Sequence, residues 1–100
     1  MYRKDYIPAQ PVDNNFRMAD VLGRWKSPSG SPEVHVVRGG NGYRITYSYR
    51  TGVSITTRIF RYGGTAFFNL YGWIALYYDP LRDMLTLSTE GNYYRAESDG

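Results

Sequence analysis

Few side chains in this sequence are able to do covalent or metal chemistry. His35 is the single histidine and cysteine is absent, so a metal centre lacks imidazole and thiolate ligands, and a catalytic triad would hang on one residue. Strand parity places His35 on an outer face beside Thr46, with no carboxylate or serine at a spacing that would make it a base. Asp79 and Asp83 flank Pro80, where an aspartate has an ordinary role bonding its own turn backbone. The glycines stand between apolar runs and form neither a P-loop nor a dinucleotide fingerprint. No catalytic residue, metal ligand or cofactor is therefore expected, and the chain reads as non-enzymatic. Abundant instead are 11 Tyr, 4 Phe, 2 Trp and, among 12 basic residues, 10 Arg. Ring faces, phenolic hydroxyls and guanidinium groups suit binding by stacking, hydrogen bonding and anion contact.

The elements that position these groups are set by a short chain. One hundred residues, 42% of them apolar, build one small core and no second domain. The opening MYRKDYIPAQPVDNNF lacks the apolar run of a secretory leader, and no stretch approaches the ~20 apolar residues of a membrane helix. A cytoplasmic location without membrane contact is the default expectation, with a leader removed before position 1 leaving no trace. Residues 1–15, with Pro8, Pro11 and Asp13-Asn14-Asn15, read as an extended arm, and 16–97 as the single domain. The net charge of +3 is a mild bias, without any block of like charges.

Within the domain, FRMADVLG predicts one short helix, capped by Asn15, with Phe16, Met18, Ala19 and Leu22 on one side and Gly23 as its stop. From Trp25 onward, strand-like runs alternate with the turns SPSGSP, GGNG, TG, GG, YG, DPLR and EGN. That rhythm predicts an all-β antiparallel meander of eight strands, near 22–27, 33–38, 43–49, 53–61, 65–70, 73–78, 83–88 and 93–97.

Opposed residues of an antiparallel pair share a face, so register is testable by parity. A GGNG loop sets Val36 against Ile45 and Val34 against Tyr47. A three-residue loop Arg50-Thr51-Gly52, with Gly52 left-handed, sets Tyr47 against Ile55 and Tyr43 against Ile59. A Gly63-Gly64 turn sets Ile59 against Phe68, a loop around Gly72 sets Phe68 against Leu76, and the Pro80 turn sets Leu76 against Leu85 and Ile74 against Leu87. One buried face results: Val34, Val36, Ile45, Tyr47, Ile55, Ile59, Phe68, Leu70, Ile74, Leu76, Leu85 and Leu87. On the other face Phe60, Phe67, Tyr77 and Met84 line up as a transverse apolar stripe. Either it is a partner surface, or the N-terminal segment with Tyr6, Ile7, Phe16 and Met18 folds over it. Arg44 falls opposite Arg58 outside, where an anion or a carboxylate from Glu33 or Asp20 would relieve the repulsion, unless the tips splay into solvent.

Leu22-Gly23-Arg24-Trp25, followed by a meander ending in Tyr77-Tyr78-Asp79-Pro80, Asp83-Met84-Leu85-Thr86-Leu87 and Gly91-Asn92-Tyr93-Tyr94-Arg95, resembles the L-x-G-x-W opening and terminal Tyr/Arg strand of small lipocalin-like barrels. More narrowly it looks like an uncharacterised family of short proteins carried by conjugative transposons of Bacteroidetes. The likeness covers about residues 20–96. It implies an up-and-down eight-stranded barrel in which Trp25 plugs the closed end and Arg95 lies over its ring, both structural. Strands of 5–9 residues without a long lid loop are shorter than those of a ligand-carrying lipocalin, a departure that counts against a deep internal pocket because a small eight-stranded barrel can be filled by its own side chains.

Three functions follow as expectations. The first is a lipocalin-like module holding a small apolar or aromatic ligand at the barrel mouth or in a residual cavity, with Tyr43, Tyr47, Tyr49 and Tyr78 supplying rings and hydroxyls. The second is a protein-interaction module of a mobile genetic element, acting through Phe60, Phe67, Tyr77 and Met84 with Arg44 and Arg58 giving orientation. Third and weakest is single-stranded nucleic-acid binding by Arg44, Arg50 and Arg58 interleaved with Tyr, for which the net charge is small.

Overall fold

Alternating apolar residues from Trp25 to Tyr93 become strands that close on themselves. The computed structural model describes residues 16–62 and 64–96. Its strands are β1 (Gly23–Lys26), β2 (Glu33–Gly39), β3 (Gly42–Ser48), β4 (Ser54–Tyr62), β5 (Thr65–Asn69), β6 (Trp73–Asp79), β7 (Met84–Leu87) and β8 (Gly91–Arg95). Each pairs with the next and β8 returns to β1, giving a closed antiparallel barrel in meander order. Closure leaves no strand edge exposed. The expected arm, its Asn15 cap and Gly63 lie outside the described residues.

The expected helix is corrected to a single 3-10 turn, Met18–Val21. The Arg17 amide donates to the Asp20 carboxylate at 3.3 Å, but Leu22 is already extended, with φ −66° and ψ 146°. Gly23 must enter β1 at once, and one turn cannot offset the cost of helix nucleation.

The first three hairpins keep the expected registers. Val36 faces Ile45 and Val34 faces Tyr47, Tyr43 faces Ile59 and Tyr47 faces Ile55, and Phe60 faces Phe67. The next two are shifted by two residues: Phe68 faces Ile74 and Ala66 faces Leu76, while Leu76 faces Leu87 and Tyr78 faces Leu85. Side-chain bonding within the loops causes both shifts. Asn69 Oδ1 accepts the Gly72 amide at 3.2 Å, closing the turn early enough for Trp73 to join β6. Asp79 Oδ1 accepts the Leu81 amide at 3.0 Å and the Arg82 amide at 3.4 Å, which makes Pro80–Asp83 a four-residue loop. A two-residue slip preserves the faces because side chains repeat every second residue. The expected buried face is accordingly the core, with only Ile55 and Leu70 half-buried, and it gains Val21, Trp25, Ala66, Tyr78 and Tyr93.

Loops after β2, β4 and β6, with the 3-10 turn, lie at one end, and this end is plugged. The Trp25 indole N–H donates to the Val21 carbonyl at 3.0 Å, and its ring meets Tyr78 edge-on at 6.2 Å. The Arg95 guanidinium lies 4.2 Å from the Trp25 ring centroid. It donates to the Leu22 carbonyl at 2.6 Å, the Asp20 carbonyl at 2.9 Å and both Asp83 oxygens at 2.8 and 2.9 Å. This is the Trp25–Arg95 contact that the sequence resemblance implies. It also explains Gly23, whose φ is +120° and whose Cβ, if present, would lie 3.1 Å from Arg95 Nη1.

Gly23→Ala should therefore cost about 1–3 kcal/mol in urea denaturation, from backbone strain and a displaced guanidinium. The Arg95 guanidinium, followed by the Tyr78 hydroxyl, holds the Asp83 carboxyl below its usual range against an opposing effect of burial. A depressed folded value means stability that is present above the unfolded carboxyl pKa, near ~4, and lost as pH falls through the folded one. Asp83→Asn should cost about 1 kcal/mol at neutral pH, the half-exposed carboxylate being screened by solvent. The difference from wild type should vanish at strongly acid pH.

Candidate functional site at the open mouth

Loops after β1, β3, β5 and β7 gather at the opposite end. Ser27 shapes the first of them: its hydroxyl accepts the Ser29 amide at 3.1 Å and the Ser31 amide at 3.3 Å. The Tyr93 hydroxyl donates to the Pro32 carbonyl at 2.8 Å, tying that loop to β8. Across the mouth the Gly52 amide donates to the Tyr49 carbonyl at 2.9 Å, and Gly52 is left-handed with φ +95°, as expected for a type I turn with a bulge.

Between these loops opens a cleft of about 910 Å³, bordered by Lys26, Pro32, Tyr49, Arg50, Val53 and Tyr71. An adjoining recess of about 260 Å³ shares Tyr49 and Tyr71 and reaches Tyr47, Ile74 and Glu90. Below the recess the barrel axis is occupied by fully buried side chains from Ile45, Phe68, Leu76, Leu85, Leu87 and Trp25. The recess therefore ends at the mouth and does not run down the barrel axis.

Tyr47 forms the floor of the recess. It is 1% exposed, packs edge-on against Phe68 at 6.0 Å and lies tilted beside Tyr49 at 6.1 Å. Its hydroxyl is buried and, among the described residues, has no hydrogen-bond partner. A hydroxyl in that state costs about 1–3 kcal/mol. Burial, then the neighbouring Tyr93 and Glu90, push its ionisation well above the ordinary tyrosine range, and Tyr93 is raised first by burial and then by Glu90.

Of the four tyrosines expected to contact a ligand, the structure brings Tyr47 and Tyr49 together and separates the others. Tyr43 sits beside the β2–β3 loop at the plugged end, where its hydroxyl accepts from Arg38 Nη2 at 3.0 Å. Tyr78 is buried there too, donating to Asp83 Oδ1 at 2.7 Å. Parity gives the face and not the height along the barrel. Tyr43 and Tyr47 are four residues apart, about 13 Å of strand, and adjoin loops at opposite ends. That signal was available, and it also points to Tyr71 and Glu90, mouth residues that the sequence reading missed.

The outer stripe is likewise corrected. Phe60 still faces Phe67, but the two shifted hairpins set Phe67 against Ala75, Tyr77 against Thr86 and Met84 against Asp79. Trp73 completes the cluster instead, 5.4 Å from Phe67 and 6.3 Å from Phe60 between centroids. Phe60 and Trp73 are exposed. Phe16 and Met18 do not cover them, being buried in the core cluster with Trp25 and Tyr78, and Phe16 lies edge-on to Tyr78 at 6.0 Å. Tyr6 and Ile7 lie outside the described residues. Arg44 and Arg58 are opposed as expected, yet neither expected carboxylate reaches them: Glu33 pairs with Arg24 and Asp20 with Arg17, each at 3.4 Å. His35 is exposed and faces Thr46.

Fold and site define a small eight-stranded meander barrel, plugged by tryptophan and arginine at one end and open at the other. The chain belongs to the family described as "Domain of unknown function, B. Theta Gene description (DUF3876)", which matches residues 11–95. Searches of curated proteins and of solved structures found no match. Among the described residues no helix is long and apolar enough to cross a membrane.

Tyr47→Phe should stabilise the free protein by about 1 kcal/mol, because it deletes a buried group that lacks a partner. A raised folded tyrosine pKa means stability complete below the unfolded value, near ~10, and lost as pH climbs toward the folded one. Tyrosinate absorbance should therefore show Tyr47 and Tyr93 titrating last and together with unfolding, and alkaline denaturation should be less steep in Tyr47→Phe.

Proposed function

We propose that this barrel is a lipocalin-like, non-enzymatic binding module whose open mouth holds a small aromatic or apolar ligand bearing one hydrogen-bonding group. The observation that carries this reading is the buried Tyr47 hydroxyl, without a hydrogen-bond partner among the described residues, at the floor of a recess walled by Tyr49 and Tyr71. A flat guest between those rings would gain area and stacking while its polar edge satisfies the hydroxyl. The short loops and filled barrel suit a shallow guest better than a long-chain one. The "B. Theta" in the family description supports the Bacteroidetes part of the resemblance, and carriage on conjugative transposons remains with that resemblance alone.

A second reading, a protein-interaction surface, now rests on Phe60, Phe67 and Trp73, which pack together with Trp73 edge-on to both phenyl rings yet leave Trp73 61% exposed. An exposed aromatic cluster of this kind is common at partner surfaces.

An anilinonaphthalene sulfonate dye distinguishes the two. Its fluorescence should rise saturably with wild-type protein and move the amide resonances of Tyr49, Tyr71 and Ile74. Tyr49→Ala should weaken binding about tenfold through the lost ring contact, and Phe60→Ser, in the outer cluster and away from the recess, should leave it unchanged. Dye binding that survives Tyr49→Ala and fails in Phe60→Ser would overturn the mouth in favour of the outer cluster.

A further inference from the structure

Two guanidinium groups on the outer face have an arrangement unconnected with the mouth. Arg44 on β3 and Arg58 on β4 are direct cross-strand partners, both exposed, and like charges so placed repel. Among the described residues neither has a carboxylate within ion-pairing distance, because Glu33 and Asp20 are engaged by Arg24 and Arg17. Arg44 and Arg58 both lean over the β2–β3 hairpin. A Cβ placed on Gly39 would lie 3.2 Å from Arg44 Nε, and one placed on Gly42 would lie 3.8 Å from Arg58 Nε and Nη2.

Gly39 and Gly42 are themselves cross-strand partners. By parity their missing side chains would project on the same outer face as Arg44. The hairpin end is therefore a bare backbone floor, and a methyl group at Gly39 would make the Arg44 guanidinium give way by a few tenths of an ångström. The Arg58 guanidinium carbon lies 5.7 Å from the Phe60 ring centroid. Two planar, permanently charged forks over a cleared floor, with no counter-charge paired to them among the described residues, fit a tetrahedral oxyanion that accepts from both.

We propose that Arg44 and Arg58, lying over the Gly39–Gly42 floor, form a binding site for a phosphate group. The group belongs either to a small phosphate or to the phosphodiester backbone of a nucleic acid. It removes the cross-strand repulsion that the free protein carries.

The test compares wild type with Arg44→Gln, Arg58→Gln and Gly39→Ala, using inorganic phosphate against chloride at matched ionic strength. Phosphate strengthens burial in any protein, so the readout is the difference between wild type and variant. Wild type should gain more in melting temperature from phosphate than any variant does. In a titration followed by the Arg Nε–H resonances, Arg58→Gln should bind phosphate about tenfold more weakly. Gly39→Ala keeps both charges and should still lose affinity, which separates a shaped site from simple charge. In chloride, Arg44→Gln should melt no lower than wild type, showing that the fold is intact. Equal phosphate gains in all four proteins, or an unchanged affinity in Gly39→Ala, would overturn the proposal. Once the phosphate response is seen, a single-stranded oligonucleotide that competes with phosphate and is lost with Arg58→Gln assigns the site to a phosphodiester backbone. Failure to compete assigns it to a small phosphate.

Discussion

The barrel is thinnest at the seam where its last strand meets its first, and one arginine spans that seam. β1 and β8 share only the pairs Trp25 with Arg95 and Lys26 with Tyr94, supplemented by the Ala96 amide donating to the Arg24 carbonyl at 2.8 Å. Arg95 adds side-chain bonds across it, from β8 to the Leu22 and Asp20 carbonyls that precede and enter β1. The same guanidinium roofs Trp25 and holds Asp83, whose left-handed backbone at φ 52° ends the β6–β7 loop. Three separate segments thus converge on a single planar cation. Its five donors in fixed geometry are what allow one side chain to satisfy two carbonyls and a carboxylate at once.

That concentration of bonding at one end bears on where function sits. At the plugged end the buried polar groups are paired: the Trp25 indole with Val21, Tyr78 with Asp83, and Asp79 with Arg82 at 2.6 Å. At the open end the buried Tyr47 hydroxyl has no hydrogen-bond partner among the described residues, and the neighbouring rings of Tyr49 and Tyr71 leave a recess beside it. The two ends thus differ in how fully their buried polar groups are satisfied, and the unsatisfied group lies at the mouth.

How much of this was legible in the sequence can be judged residue by residue. Alternation of apolar residues placed Val34, Val36, Ile45, Tyr47, Phe68 and Leu76 correctly inside, and it survived two register errors because a slip of two residues leaves faces intact. Those same slips dissolved the outer stripe, since cross-strand neighbours depend on absolute register. The loops responsible were shortened or lengthened by Asn69 and Asp79 bonding to backbone amides, a local competition that turn propensities describe only on average. The expected helix failed for a different reason, since strand pairing claimed Gly23 before a second turn formed.

The residues alone determined that the chain is all-β, that its eight strands follow one another as a meander, and which face of each is apolar, because these depend on a two-residue period and on turn-forming side chains nearby in the chain. Only the tertiary structure decided that Tyr43 and Tyr78 stand at the opposite end from Tyr47 and Tyr49, that Trp73 joins Phe60 and Phe67, and that Arg44 and Arg58 lie over two facing glycines. Those juxtapositions arise from barrel closure and absolute register, which bring together residues whose spacing along the chain carries no trace of the contact.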